Sequence, residues 1–331
     1  MKSLNDVTII TLVKDNAQAS SLLIKFLKKK KIKINHIIAD GSKKKQEKEF
    51  QEINNSKQKY FYFGEDQNYL HVWKKIYFSL SKTKTKYFYF LDQGDLLNFN
   101  TLSKCATFLN KNKNYSSATG KIYNFSEINN NFVLGEKLYK DIKITSDNSD
   151  KEKIFKNFNF RSYHGLHKKI IMKKVLQILI QQKIKDSRTG EFLIDLSYII
   201  NGKIFYFDEI LYLHNTTNYN KEKIHPMDKV FKGRDEWYKN YFSKMQKKLL
   251  TQLIKKFPSK IYKKDIDRII TEYQNYNDLN STRKKSIITY SLRMLLLFLM
   301  KLYFNFFNDF IRLIFPFIKN LFGFNEFIKK L

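Results

Sequence analysis

Asp92 and Asp95 close the run Lys86-Tyr-Phe-Tyr-Phe-Leu-Asp-Gln-Gly-Asp95, in which apolar and aromatic residues lead straight into two carboxylates separated by Gln93 and Gly94. Two carboxylates so placed can hold a hard divalent cation against a diphosphate. The same four residues, Asp92 to Asp95, are also what a tight turn ahead of a helix is made of, with Asp95 near the helix N-terminus. Tyr87 to Leu91 is too short for a buried helix and suits a strand buried on both faces. Asp92 then stands at the carboxyl end of a central strand, the edge where open α/β sheets bind their ligands.

The elements around this run follow from periodicity. Val7 to Val13 is a β-branched run and reads as a first strand, with Lys14-Asp15-Asn16 as a loop able to cap a helix. Ala17 to Lys29 places Leu22, Leu23, Phe26 and Leu27 on one helical face, and Ile32 to Ala39 is a second strand ending at Asp40-Gly41-Ser42. Strand, helix, strand within so short a span favours a parallel pair joined by a right-handed crossover. Thr11 to Asp15 and Asp40 to Ser42 are therefore expected at the same sheet edge as Asp92.

Lys43 to Ile53 reads as a solvated helix and Lys59 to Phe63 as a short aromatic strand. Tyr69, Val72, Trp73, Ile76, Tyr77 and Leu80 recur at helical spacing and read as a core stripe. A helix over Asn100 to Leu109 and a strand over Ser116 to Phe125 follow. Ser126 to Asn148 is polar and asparagine-rich and reads as a long loop over the site. Beyond it the pattern gives a helix near Lys151 to Asn157, a short strand at Arg161 to Leu166 and a helix from Lys168 to Gln182. A polar loop at Lys185 to Thr189 precedes a helix from Gly190 that ends at Asn201-Gly202, and Ile204 to Leu213 is a last strand closing with His214.

Composition narrows the function classes. With 331 residues and 43% hydrophobic content the chain can bury a sizeable core. The formal charge of +31 is spread along the chain, with compact runs only at Lys28 to Lys31 and Lys43 to Lys45. Aromatic residues sit inside strands and helical faces instead of alternating with an exposed basic stripe, which argues against a nucleic-acid-binding protein. The single cysteine, Cys105, excludes an internal disulfide, lacks metal-ligand spacing and reads as a core residue in a reducing compartment. Met1 to Asp6 leads directly into a strand with no signal-peptide hydrophobic region, so a cytoplasmic location is expected.

Taken in order, these pieces resemble the family 2 glycosyltransferases with the GT-A fold, and more closely a bacterial subgroup with a shorter acidic motif. The resemblance runs from Val7 to His214. It is carried by the opening strand and loop, Ile37-Ile38-Ala39-Asp40-Gly41-Ser42, Lys86 to Asp95, Tyr115-Ser-Ser-Ala-Thr-Gly120, Arg161-Ser-Tyr-His-Gly165, Gly190-Glu191 through Gly202-Lys203, and Leu211-Tyr212-Leu213-His214. It implies an α/β fold with a doubly wound, mixed but mostly parallel sheet and an α-helical region after it. It also implies a nucleotide-diphosphate sugar as donor, with Thr11, Val13 and Asp40 at the nucleoside, and Asp92 and His214 near the diphosphate.

Mg²⁺ or Mn²⁺ would be held by Asp92 and Asp95. Gly94 stands where the family's acidic motif has its middle aspartate, so one motif carboxylate is missing. Glu191 falls at the family's general base, in an inverting transfer, and Asp195, one turn on, is the second choice. The bland reading of Glu191 is a first-turn carboxylate complementing a helix dipole, and that of Asp195 a side chain facing solvent or a lysine. His164 and His167 lie beside the expected acceptor site.

The resemblance gives residues 1–220 as the nucleotide-sugar-binding and catalytic domain. Residues 221–285 read as a charged helical extension, with Pro258 as a break. Residues 286–331 are rich in Leu and Phe, and polar residues recur at Lys301, Asn305, Asn308, Arg312 and Lys319, one narrow stripe on an apolar helix. At about 3 kcal/mol for a central Arg or Lys against roughly −0.5 for each Leu, Ile or Phe, spanning a membrane is close to neutral there. The stripe favours helices lying in the interface of an anionic membrane, on the inner face of the cell membrane; a hairpin packed on protein is the other reading. The expected acceptor is a surface glycan or a lipid-linked glycan. A non-catalytic homologue that binds a sugar nucleotide or glycan is the alternative, which Gly94 keeps open.

Overall fold

The structure, a computed structural model, describes residues 2–15, 34–50, 57–128, 131–137 and 164–215, together with 248, 249 and 252. All of them fall in the first of two units into which the chain divides, Met1–Ile266. The expected helices at Ala17 to Lys29 and Lys151 to Asn157, and everything proposed for residues 253–331, lie outside the described residues.

Nine strands form one sheet: β1 (Val7–Val13), β2 (Asn35–Asp40), β3 (Gln58–Tyr62), β4 (Tyr87–Asp92), β5 (Leu96–Leu97), β6 (Tyr115–Ile128), β7 (Asn131–Lys137), β8 (Leu166–Lys168) and β9 (Lys203–Asn215). Their order is β3-β2-β1-β4-β8-β6-β9-β5, with β7 paired to β6. β1 is parallel to both β2 and β4, β2 to β3, and β6 to β9. β8 runs against both β4 and β6. The carboxyl ends of β1, β2, β3, β4, β6 and β9 therefore share one edge, in a mixed but mostly parallel α/β sheet.

Among the described residues five α-helices flank the sheet: α1 (Glu47–Phe50), α2 (Tyr69–Ser81), α3 (Phe99–Lys111), α4 (Lys169–Gln181) and α5 (Ser187–Ile200). Local chemistry fixes their starts. Asn68 Oδ1 accepts from Leu70 N (3.0 Å) to cap α2, and Asn98 Oδ1 accepts from Asn100 N (3.0 Å) to cap α3. The β-branched and aromatic runs sit at the centre: Val7, Ile9, Ile10 and Val13 of β1 and Tyr87 to Leu91 of β4 are all buried. Cys105 is buried in α3, as expected.

Two expected boundaries are corrected. The polar stretch 126–148 reads as one long loop, but β6 continues to Ile128 and β7 returns antiparallel, pairing Ser126 with Val133 and Glu127 with Phe132; residues 138–148 lie outside the described residues. A ladder is made by backbone groups, so polar side chains on it give no apolar signal. The helix expected from Gly190 begins instead at Ser187, because Asp186 Oδ1 accepts from Thr189 N (2.8 Å) and caps it there. Of the short strand expected at Arg161 to Leu166, residues 161–163 lie outside the described residues, and a strand spans Leu166–Lys168.

Candidate functional site

The carboxyl edge of β1, β2 and β4 is built by register. Val13 is level with Asp40, and Leu12 with Asp92. Lys14 N donates to Gln93 Oε1 (2.9 Å), tying the end of β1 to the turn after β4. Asp15 N donates to Ser42 Oγ and Asp15 Oδ1 accepts from Lys43 N, both at 2.9 Å. Asp15 itself adopts a φ of 40°, a left-handed backbone that an aspartate tolerates better than most residues.

Asp40 is fully buried and is an organiser of its own loop. Its carboxylate accepts from Ser42 N (2.8 Å), Gln46 N (3.0 Å) and the Tyr60 hydroxyl. Beneath Gly41 lies a buried ion pair between Lys75 and Asp66, and Lys14 Nζ donates to the Asp66 carbonyl (2.6 Å). A Cβ at Gly41 would overlap both the Asp66 carboxylate and the Lys75 ammonium. Burial pushes Asp66 up and Lys75 down, and the charge of each opposes the shift in the other.

Thr11 and Val13, expected at the nucleoside, have no exposed side-chain surface. The Thr11 hydroxyl pairs with His36 Nε2 (2.9 Å) inside the sheet layer. Their side chains pack within the sheet layers. Of the three expected nucleoside residues, Asp40 orders the loop after β2 through its hydrogen bonds.

Asp92 ends β4 partly exposed, yet enough protein crowds its carboxyl that burial lifts its pKa to about 7. Asp95 and Glu191 add to that rise, and His214 pulls it back. Four groups from β4, the following turn, α5 and β9 therefore share one field. Tyr69, the first residue of α2, joins them: its hydroxyl hydrogen-bonds Ser187, and burial followed by the charges of Glu191, Asp92 and Asp66 holds it protonated. Sequence reading placed Tyr69 in a core stripe. Its position at the helix start, directly after the Asn68 cap, is the signal that it faces the sheet edge.

Asp95 differs from the open carboxylate expected beside Asp92. It is buried, and its oxygens accept from the Tyr212 hydroxyl, Asn215 N (2.6 Å) and His214 Nδ1 (3.3 Å). Asn215 Nδ2 also donates to the Gly94 carbonyl (3.1 Å). The Asp92–Asp95 turn is closed by Asp95 N donating to the Asp92 carbonyl (3.1 Å), and Gly94 sits at φ 87°. Glycine is favoured there because a side chain would be strained. The missing motif carboxylate is thus explained by backbone geometry. His214 is brought to the site; His164 stacks on Tyr212 at 4.7 Å, whereas His167 packs against Tyr198 at 4.3 Å, further down the sheet.

Glu191 lies in the second turn of α5, so the helix-dipole reading of it does not hold. Gly190 beside it packs directly on Trp73 of α2, where a Cβ would overlap the indole ring. Tyr69 N also donates to the Lys185 carbonyl (3.1 Å). These contacts fix α5 against α2 and with it the place of Glu191. Asp195, expected in solvent or on a lysine, is buried instead, and its charge is felt by Tyr198.

Among the described residues no three His, Cys, Asp or Glu side chains group as a metal cage. The donor set fits a cation held by Asp92 as the direct carboxylate with diphosphate oxygens and water completing its shell. Asp95 fits as the residue that holds the turn.

Sheet order, the reversed β8 between β4 and β6, and carboxylates at the carboxyl edge define a GT-A glycosyltransferase fold. Among solved structures the chain is similar to Staphylococcus aureus TarS, a GT-A-type glycosyltransferase. The structure of TarS 1-349 is 14% identical, with 81% of this chain and 70% of that one covered and a TM-score of 0.51. TarS 1-349 in complex with UDP-GlcNAc is 13% identical, with 81% and 71% covered and a TM-score of 0.51. The longer TarS structure is 14% identical at a TM-score of 0.52, with 81% of this chain and 43% of that one covered. No protein-family model matches the sequence, and no curated protein matches it significantly.

Proposed function

We propose that this chain is a glycosyltransferase that moves a sugar from a nucleotide-diphosphate donor to a hydroxyl of a glycan or lipid-linked acceptor, with inversion. The observation that supports it most is the convergence of Glu191 on Asp92, two carboxylates from separate elements, the charge of the first helping to push up the second, at the edge where α/β sheets bind ligands. The UDP-GlcNAc complex of TarS, a protein of the same fold, points to a uridine diphosphate sugar as the first donor to try.

In this reading the Asp40 loop and the Lys14–Asp66–Lys75 group shape the nucleoside end of the cleft. Glu191 accepts the proton of the acceptor hydroxyl as its oxygen bonds the anomeric carbon, and the bond to the nucleoside diphosphate breaks on the opposite face. Asp195, buried and turned to Tyr198, is a weaker choice for that proton. His214 stands where a cation can neutralise the departing diphosphate. Mg²⁺ or Mn²⁺ on Asp92 would supply Lewis-acid stabilisation of the same leaving group. Tyr69, hydrogen-bonded to Ser187, holds the α2 end of the cleft.

A second reading, a non-catalytic binder of a sugar nucleotide, is favoured by the capture of Asp95 by β9 and by Gly94. Thermal shift with UDP, GDP and single-stranded DNA, each with and without Mn²⁺, tests the shared part of both. Stabilisation by a nucleoside diphosphate and not by DNA is the expected result; stabilisation by DNA alone would refute it.

A further inference from the structure

The edge of the sheet opposite the candidate site is fed by lysine-rich segments. Asp40, Asp66, Asp92, Asp95 and Glu191 gather at or near the carboxyl edge, whereas the segments feeding the amino edge are Lys82-Thr-Lys84-Thr-Lys86 before β4, Lys111-Asn-Lys113-Asn114 before β6 and Lys203 opening β9. Because β8 is reversed, its carboxyl end arrives at this same edge, with Lys168 level with Tyr87 of β4. Asp6, directly before β1, faces these lysines, 3.8 Å from Lys86.

The edge is a fixed platform. Lys168 Nζ donates to the Lys113 carbonyl (2.7 Å), Lys169 Nζ to the Thr83 carbonyl (2.9 Å) and Lys169 N to the Lys86 carbonyl (3.0 Å). Lys203 N donates to the Asn114 carbonyl (3.0 Å), joining the start of β9 to the same array. Amid these lysines stands Ile170, in the first turn of α4 and 62% exposed; the other exposed large hydrophobic residues among those described reach only 36–40%.

We propose that this amino-terminal sheet edge docks on an anionic lipid bilayer, with Lys84, Lys86, Lys113, Lys168 and Lys169 facing headgroups and Ile170 entering the interface. Two features favour a bilayer over a nucleic acid. The cations of these segments are all lysines, point charges suited to a diffuse anionic surface, without the arginine forks that suit discrete phosphates. An exposed isoleucine gains nothing against a polyanion and gains burial in a bilayer. Lys168 and Lys169 already have lowered pKa values, from burial and then from Lys113 and Lys173 respectively, and an anionic surface relieves that crowding. This inference concerns a face remote from the proposed catalytic cleft and does not depend on the transferase reading.

The test uses the full chain carrying Ile170→Cys labelled with an environment-sensitive fluorophore; Cys105 has no exposed surface and does not compete for the label. Tyr62→Cys, at the end of β3 on the other edge, is the control. With vesicles of phosphatidylcholine and phosphatidylserine at about 7:3, the label at 170 is expected to brighten and shift to the blue, and the label at 62 to stay unchanged. Phosphatidylcholine alone should give no response. Lys84→Glu/Lys86→Glu/Lys113→Glu should lower vesicle partitioning of the unlabelled chain about a hundredfold, from the worth of each lysine at such a surface. An unchanged signal at 170 in protein that sediments with the vesicles would overturn the proposal. So would failure to sediment with them, or binding to poly(U) RNA that the triple variant loses while vesicle binding persists.

Discussion

Gly190 of α5 presses its backbone against the indole of Trp73 in α2, leaving no room for a methyl group. The contact sets the distance of one helix from another, and the residue after Gly190 is the proposed base. Gly190→Ala should therefore cost about 1–3 kcal/mol of stability through overpacking. It should also lower turnover more than it raises KM for the donor. Trp73→Leu in the same chain should restore part of both. Chemical denaturation and steady-state kinetics of the single and double variants check this, and additive losses in the double variant would refute the link.

Gly41 meets the same kind of obstacle in the Lys75–Asp66 pair. Both side chains are buried, so neither can swing aside into solvent. Gly41→Ala is expected to destabilise the fold by about 1–3 kcal/mol and to weaken nucleoside diphosphate binding at least tenfold, as measured by calorimetric titration at a temperature where the variant is folded.

His36 supplies a pH signature. It is buried against Thr11, and burial lowers its pKa to about 4 from an ordinary value of 6.5. The folded protein keeps it neutral while the unfolded chain takes up a proton below pH 6.5. Its contribution is fully present above that pH and is lost as pH falls toward 4. Urea denaturation should show about 2 kcal/mol less stability from this group at pH 5 than at pH 7.5. The slope should flatten in His36→Gln, and equal slopes in the two proteins would refute the assignment.

Much of the sheet could be read from residues. Strands such as β1 and β4 are buried on both faces, so their apolar runs are continuous, and α2, α3 and α4 follow one-sided apolar stripes. The β6–β7 hairpin escaped because its ladder carries serine, asparagine and glutamate, which look like loop. Asp92 follows from its strand end, whereas Glu191 and His214 come from the family resemblance; the structure brings the three into one electrostatic field. Tyr69 and the Lys75–Asp66 pair were missed, since a tyrosine or lysine on an amphipathic helix gives no sign of which turn meets the cleft. The burial of Thr11 and Val13 could not be read from alternation along β1, which is hidden when both faces are covered.

Release of nucleoside diphosphate from UDP-linked sugars in the presence of glycan acceptors, compared between the native chain and Glu191→Gln in one assay, tests the central claim most directly. The account predicts turnover by the native protein and a loss of at least about a hundredfold in Glu191→Gln with nucleotide binding unchanged. Undiminished release by Glu191→Gln, or nucleotide binding without any release by the native chain, would contradict it.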